Sequence, residues 1–176
     1  MTTPLRRFKF AQWGQALCLA SILLGANVSI AQFAASNPDW KESDAPVPPA
    51  FDLQRLEFFT VSPNSAMQWG FDPRTVLITG DGIVRYVVVA RSPSGVLNVM
   101  YEGVRCATGE WKSYARHNTA SGWSVIVDPQ WKTMYDYQPS RHALRLAQQG
   151  LCIGGAPVTD VAEVIRSIRQ FGKTVN

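Results

Sequence analysis

Only three cysteines and two histidines occur in 176 residues. There is no CxxC pair, no HExxH, no GxSxG elbow and no Walker loop. The chain therefore lacks the signatures of a zinc protease, an α/β-hydrolase and a P-loop nucleotide binder. No tight set of three or four metal ligands is present either, and no metal or cofactor is expected. Gly80-Asp81-Gly82 resembles a phosphate loop only superficially, because no helix start follows it. Long apolar runs are missing except at the N-terminus, which excludes a multi-span membrane protein. With 46% hydrophobic and 17% charged residues, the chain is not a disordered one.

The N-terminal run reads as an export signal. Arg6, Arg7 and Lys9 lead it with no acid, and an apolar stretch follows from Ala16 to Ala26. Ser29-Ile30-Ala31 then offers small residues at the first and third positions of a cleavage site. The apolar stretch is shorter than the roughly 20 residues that cross a bilayer. The expectation is a signal peptide at 1–31 cut after Ala31, with no transmembrane segment left behind. Delivery to the periplasm or beyond follows. An uncut anchor is the alternative.

Removal of the signal changes the charge balance. Residues 1–31 hold three of the 17 basic residues and no acid, which leaves 14 basic against 13 acidic. The excess that remains is too small for a nucleic-acid footprint, and no nucleic-acid partner is expected.

Cys18 leaves with the signal, and Cys106 and Cys152 remain. A pair in an exported chain reads most simply as a disulfide. A metal site or a catalytic thiol is the weaker alternative.

Residues 32–50 form a proline-rich, extended linker, with Pro38, Pro46, Pro48 and Pro49 among polar residues. Trp40 stands alone there and is expected to cover apolar surface on the following domain. Residues 51–176 make that domain. From Phe51 to Val127, apolar runs alternate with turn residues, and Gly80-Asp81-Gly82 and Ser92-Pro93-Ser94-Gly95 mark tight turns. Short connections of this kind imply antiparallel hairpins. The period then changes. A helix is predicted over 141–149, capped by Ser140 and stopped by Gly150. A second is predicted over 158–171, with Val158, Val161, Ala162, Ile165 and Ile168 as its apolar stripe. The fold class is α+β: a meander-like antiparallel sheet of about five or six strands, packed by one or two C-terminal helices.

Candidate site residues are few. Strict alternation places Glu110, Lys112, Tyr114 and Arg116 on one sheet face and Trp111, Ser113 and Ala115 on the other. Arg105, Tyr114, Arg116 and Arg141 are candidates to bind an anion or another ligand. Glu102, Arg105, Glu110, His117 and His142 are the residue types from which a nuclease-like acid–base site is assembled, with arginine steadying phosphorane charge.

Three blocks carry a family likeness. They are residues 84–90 (VRYVVVA), 101–116 (YEGVRCATGEWKSYAR) and 139–152 (PSRHALRLAQQGLC). Together they resemble the cryptic neisserial protein family, small proteins of Gram-negative β-proteobacteria that are predicted to be exported. The likeness extends over residues 39–152. It includes Cys106 and Cys152 but implies no activity, substrate or cofactor. The expected role is that of an uncharacterised exported protein of the periplasm or envelope. It would be a non-enzymatic binding or accessory component whose partner is a protein, a peptide or part of the envelope. A small secreted hydrolase is the alternative.

Overall fold

The computed structural model describes residues 37–137 and 139–174. The predicted signal, with Cys18, lies outside the described residues. So do residues 32–36.

The chain first lays down β1 (Glu57–Phe59), β2 (Gln68–Phe71) and β3 (Leu77–Ile78). It continues through β4 (Ile83–Arg91), β5 (Leu97–Arg105), β6 (Glu110–Asn118), β7 (Gly122–Val125) and β8 (Lys132–Thr133). All pairings are antiparallel, in the order β1-β2-β4-β5-β6-β7, and the short β3 and β8 add to β4 and β6. The main path thus has the six strands at the upper end of the expected count.

β4 is central because its sequence suits burial on both sides. Ile83 to Ala90 are all buried, and Val and Ile fit a pleated surface. Its outer neighbour is interrupted. A 3-10 turn at Pro73–Thr75 separates β2 from β3, and Thr75 repairs the ladder by accepting the Val87 N–H on its hydroxyl at 2.9 Å. Between β5 and β6 the chain reverses at Gly109, whose φ of 66° favours glycine. A Cβ there would stand 2.6 Å from the Tyr135 ring.

Strict alternation fails on β6. Glu102 pairs with Ser113 and Tyr101 pairs with Ala115, so Tyr114 is an extra, bulged residue. Tyr114 and Ala115 consequently pack in the same cluster. Past the bulge the faces exchange. Arg116 joins the side of Trp111 and Ser113, so the expected row of Glu110, Lys112, Tyr114 and Arg116 ends at Tyr114.

The last third supplies the helices. α1 (His142–Leu146) runs on as a wider helical turn over Ala147–Leu151. A small hairpin of β9 (Cys152–Ile153) and β10 (Ala156–Pro157) follows, and then α2 (Val161–Thr174). Gly150 does not simply stop the first helix. It lies buried where a Cβ would sit 2.9 Å from the Val164 carbonyl oxygen, so its missing side chain lets α2 approach. In α2 the buried residues are Val164 and Ile168, whereas Ala162 is exposed and Val158 precedes the helix. The stripe is therefore rotated from the predicted one.

Each sheet face has its own cover. On one, Val84, Tyr86, Val88, Ala90, Met100 and Val104 pack against Leu144, Leu146, Leu151, Val164 and Ile168. On the other, Val87, Val89, Val99, Tyr101 and Tyr114 pack against Phe51, Leu53, Leu56 and Trp123. Burial of an aliphatic or aromatic side chain of this size is worth about 1.5–3 kcal/mol. Cys106 and Cys152 are joined by a disulfide, with Cα atoms 5.7 Å apart. It ties the end of β5 to the helical layer. None of the described helices is long and apolar enough to cross a membrane.

Candidate functional site

The proline-rich segment 37–50 binds along the sheet. Its Trp40 donates from Nε1 to the Asp81 carbonyl at 2.7 Å and lies under the Arg105 guanidinium, 3.6 Å from ring centre to Cζ. Glu42 enters a cradle of donors. Lys112 Nζ and Trp131 Nε1 (3.0 Å) donate to Oε2, and the Tyr114 hydroxyl (2.7 Å) donates to Oε1. Burial raises the Glu42 carboxyl, but the hydrogen bonds from Lys112, Tyr114 and Trp131 and the Lys112 charge outweigh it, so its pKa lies below the usual value. Arg85, fully buried on β4, reaches the Ser43 carbonyl at 3.2 Å and Asp81 Oδ2 at 3.3 Å. Asp81 behaves like Glu42. Burial pushes it up, and the Ser43 and Thr79 hydroxyls and the Ser43 and Ile83 N–H groups pull it further down.

The polar residues of this face are thus consumed by the chain's own N-terminal segment. Arg105 also pairs with Glu110 at 3.5 Å, and Glu110 accepts from the Thr108 hydroxyl. His117 sits edge-on to Phe51 and Trp123 in an aromatic cluster.

On the helix face a second polar group is buried. His142 Nε2 lies 2.8 Å from Glu102 Oε2, and its Nδ1 lies 3.1 Å from the Ser140 hydroxyl. Trp69 stacks on the imidazole at 4.5 Å with planes 6° apart, and Trp111 meets it edge-on. The Tyr86 hydroxyl approaches the same Glu102 oxygen at 3.4 Å. Burial, then the Glu102 charge, pushes the Tyr86 phenol well up, so it stays neutral and donates. Glu102 Oε1 and Ser113 Oγ, on register partners, have no hydrogen-bond partner.

Ser140 also faces a groove of about 570 Å³. One wall is Val61, Met67 and Trp69, and the other is Tyr137, Pro139, Arg141 and Arg145. A smaller hollow of about 280 Å³ flanks the same 61–67 loop. The exposed Arg141 has no carboxylate within ion-pair distance among the described residues. A groove with an apolar wall and the unpaired Arg141 cation at its rim can seat a small anionic molecule or a peptide end.

The predicted residues therefore fall in four places. Glu102 and His142 meet. Arg105, Glu110, Tyr114 and His117 are divided among contacts on the face covered by the N-terminal segment. Arg116 borders a separate hollow with Trp111, Ser113 and Asp128. Arg141 alone reaches the groove. The acid–base set does not converge, because the alternation of β5 sends Glu102 and Arg105 to opposite faces. Sequence reasoning missed Glu42, Arg85, Trp131, Trp69 and Met67, and it read Ser140 only as a cap.

The fold and grooves define a disulfide-stapled α+β domain that buries one sheet face under helices and the other under its own N-terminal segment. Residues 35–169, more than half of the chain, match the model of the CNP1-like family, and the protein belongs to that family. This is the family of the likeness drawn from the three sequence blocks. No curated protein and no solved structure proved similar to the chain.

Proposed function

We propose that the protein is exported, cut after Ala31, and works in the periplasm or envelope as a binding or accessory component. Its ligand has an apolar body and an anionic end. The groove beside Trp69 carries this reading, because it offers an apolar wall opposite the unpaired Arg141 guanidinium. The disulfide supports location outside the reducing cytoplasm. The Glu42 cradle supports it by default, since Lys112, Tyr114 and Trp131 already occupy that carboxylate within the chain.

The test is a fluorescence titration of the exported protein with anilinonaphthalene sulfonate, an aromatic body bearing one anionic group. Saturable one-site binding is expected, with Arg141→Glu weakening it at least tenfold, a change of about 1.4 kcal/mol. Arg55→Glu, on an exposed turn away from the groove, should leave it unchanged. Absence of saturable binding, or equal loss in both variants, overturns the groove as the ligand site. Recovery of an untrimmed, reduced chain from the cytoplasm overturns the location.

A further inference from the structure

We propose that Ser140 is a nucleophile for acyl transfer, with His142 as its base and Glu102 as the residue that positions the base, acting on an ester seated in the groove. The proposal rests on the groove as a ligand site and goes beyond binding, since the bound ester would be cleaved.

Three observations carry it. The first is a continuous chain of hydrogen bonds, Ser140 Oγ to His142 Nδ1 at 3.1 Å and His142 Nε2 to Glu102 Oε2 at 2.8 Å. A nucleophile, a base and a group that orients the base are recognised by such geometry and roles, not by sequence position. With the Nε2 proton donated to the carboxylate, Nδ1 keeps its lone pair and the serine hydroxyl donates to it. The His142 backbone N–H meanwhile donates to Oγ at 3.2 Å, which fixes the rotamer and leaves a lone pair for attack. The imidazole is turned relative to the usual serine hydrolase, where Nε2 faces the hydroxyl, but the roles are the same.

The second observation is rigidity. Glu102 is fully buried on the central part of β5, and the imidazole is held between Trp69 and Trp111. A base fixed by packing on both sides loses little in reaching the reactive geometry. The third is access. Ser140 is the one member of the chain that lines the groove, while Arg141 and Arg145 stand beside it. Their charge suits an anionic substrate group or the oxyanion of the tetrahedral intermediate.

In the first step Oγ bonds to the ester carbonyl carbon as its proton passes to His142 Nδ1. The intermediate collapses, the carbon–oxygen bond to the alcohol breaks, and the alcohol leaves with that proton. Water then attacks the acyl-serine with the same base, releasing the carboxylic acid and restoring Ser140. Water is the only co-reactant, and no oxidant or reductant is needed.

The experiment is labelling of the exported protein by a fluorophosphonate, followed by intact-mass and peptide mapping, with p-nitrophenyl butyrate hydrolysis alongside. One adduct per chain at Ser140 is expected, together with ester hydrolysis. Both should vanish in Ser140→Ala, whose melting temperature reports on folding. Glu102→Gln should slow labelling at least tenfold and move the rising limb of the pH–rate profile, a change that a purely structural role would not produce. No adduct on folded protein, or an adduct that survives Ser140→Ala, overturns the relay. If dye binding persists without any adduct, the relay fails and the groove stands. If dye binding is absent as well, the groove reading fails with it.

Discussion

The two faces of the sheet are covered in opposite ways. The helical cover is apolar and covalent, with Leu144, Leu146, Leu151, Val164 and Ile168 against the strands and the Cys106–Cys152 bridge at the edge. The N-terminal cover is anchored by charge. Four donors, Lys112, Tyr114, Trp131 and Arg85, converge on Glu42, and Arg85 and two hydroxyl groups secure Asp81. Phe51, Leu53 and Leu56 add apolar contact beyond the prolines. Water, acid and salt have little purchase on the first cover and considerable purchase on the second.

The comparison can be broken from the helical side first. Removal of the bridge by Cys106→Ala with Cys152→Ala should cost on the order of 4 kcal/mol, because it frees a loop of 46 residues in the unfolded chain. Denaturant unfolding of the variant measures this. A loss under about 1 kcal/mol would mean that packing alone secures the helices.

Next in size is Glu42→Ala. It leaves Lys112 and Arg85 short of their counter-charge, and the expected cost is about 2–3 kcal/mol. Limited proteolysis should then cut within residues 37–50 while the disulfide-bonded body stays intact. Simultaneous loss of both covers would show that they form one cooperative unit. Trp40→Ala comes third, at about 1–2 kcal/mol, through lost stacking with Arg105 and the lost indole hydrogen bond. Its readout is the same cleavage at lower frequency.

Acid sharpens the contrast with the smallest perturbation. Glu42 and Asp81 are both held below their ordinary values of 4.5 and 3.8. Groups with depressed native pKa values contribute stability that is complete above the ordinary value and is lost as pH falls through the native one. The segment should therefore loosen below about pH 4, before the body unfolds, as seen by its protease sensitivity. Unchanged protection down to global unfolding would contradict an electrostatic anchor.

Much of the architecture was legible in the chain. The β-branched run of β4 and the turns at Asp81-Gly82 and Pro93-Gly95 define hairpins by local chemistry alone, and the change of period marks the helices. The cysteine pair was legible from its even count and the expectation of export. What escaped was non-local. β2 is four residues with a glycine inside, too short for alternation to register. The bulge at Tyr114 is invisible to a period of two, yet it moves Arg116 to the other face. In the candidate site, Glu102 and His142 were picked out by residue type, but their meeting and the exclusion of Arg105 depend on strand parity. Glu42 could not be recognised, because its partners stand at Lys112, Tyr114 and Trp131.

That separation bears on the order of assembly. Glu42 finds its cradle 70 to 89 residues downstream. A chain emerging from its amino end reaches Asp81 and Arg85 first, but the Glu42 cradle stays incomplete until Trp131 has followed it out. Closure of the arm is then a late event that reports completion of the sheet, and loop closure over such a span is slow relative to hairpin formation. Chains truncated before Trp131 should show an arm that proteases still cut, and protection in those fragments would place its docking earlier.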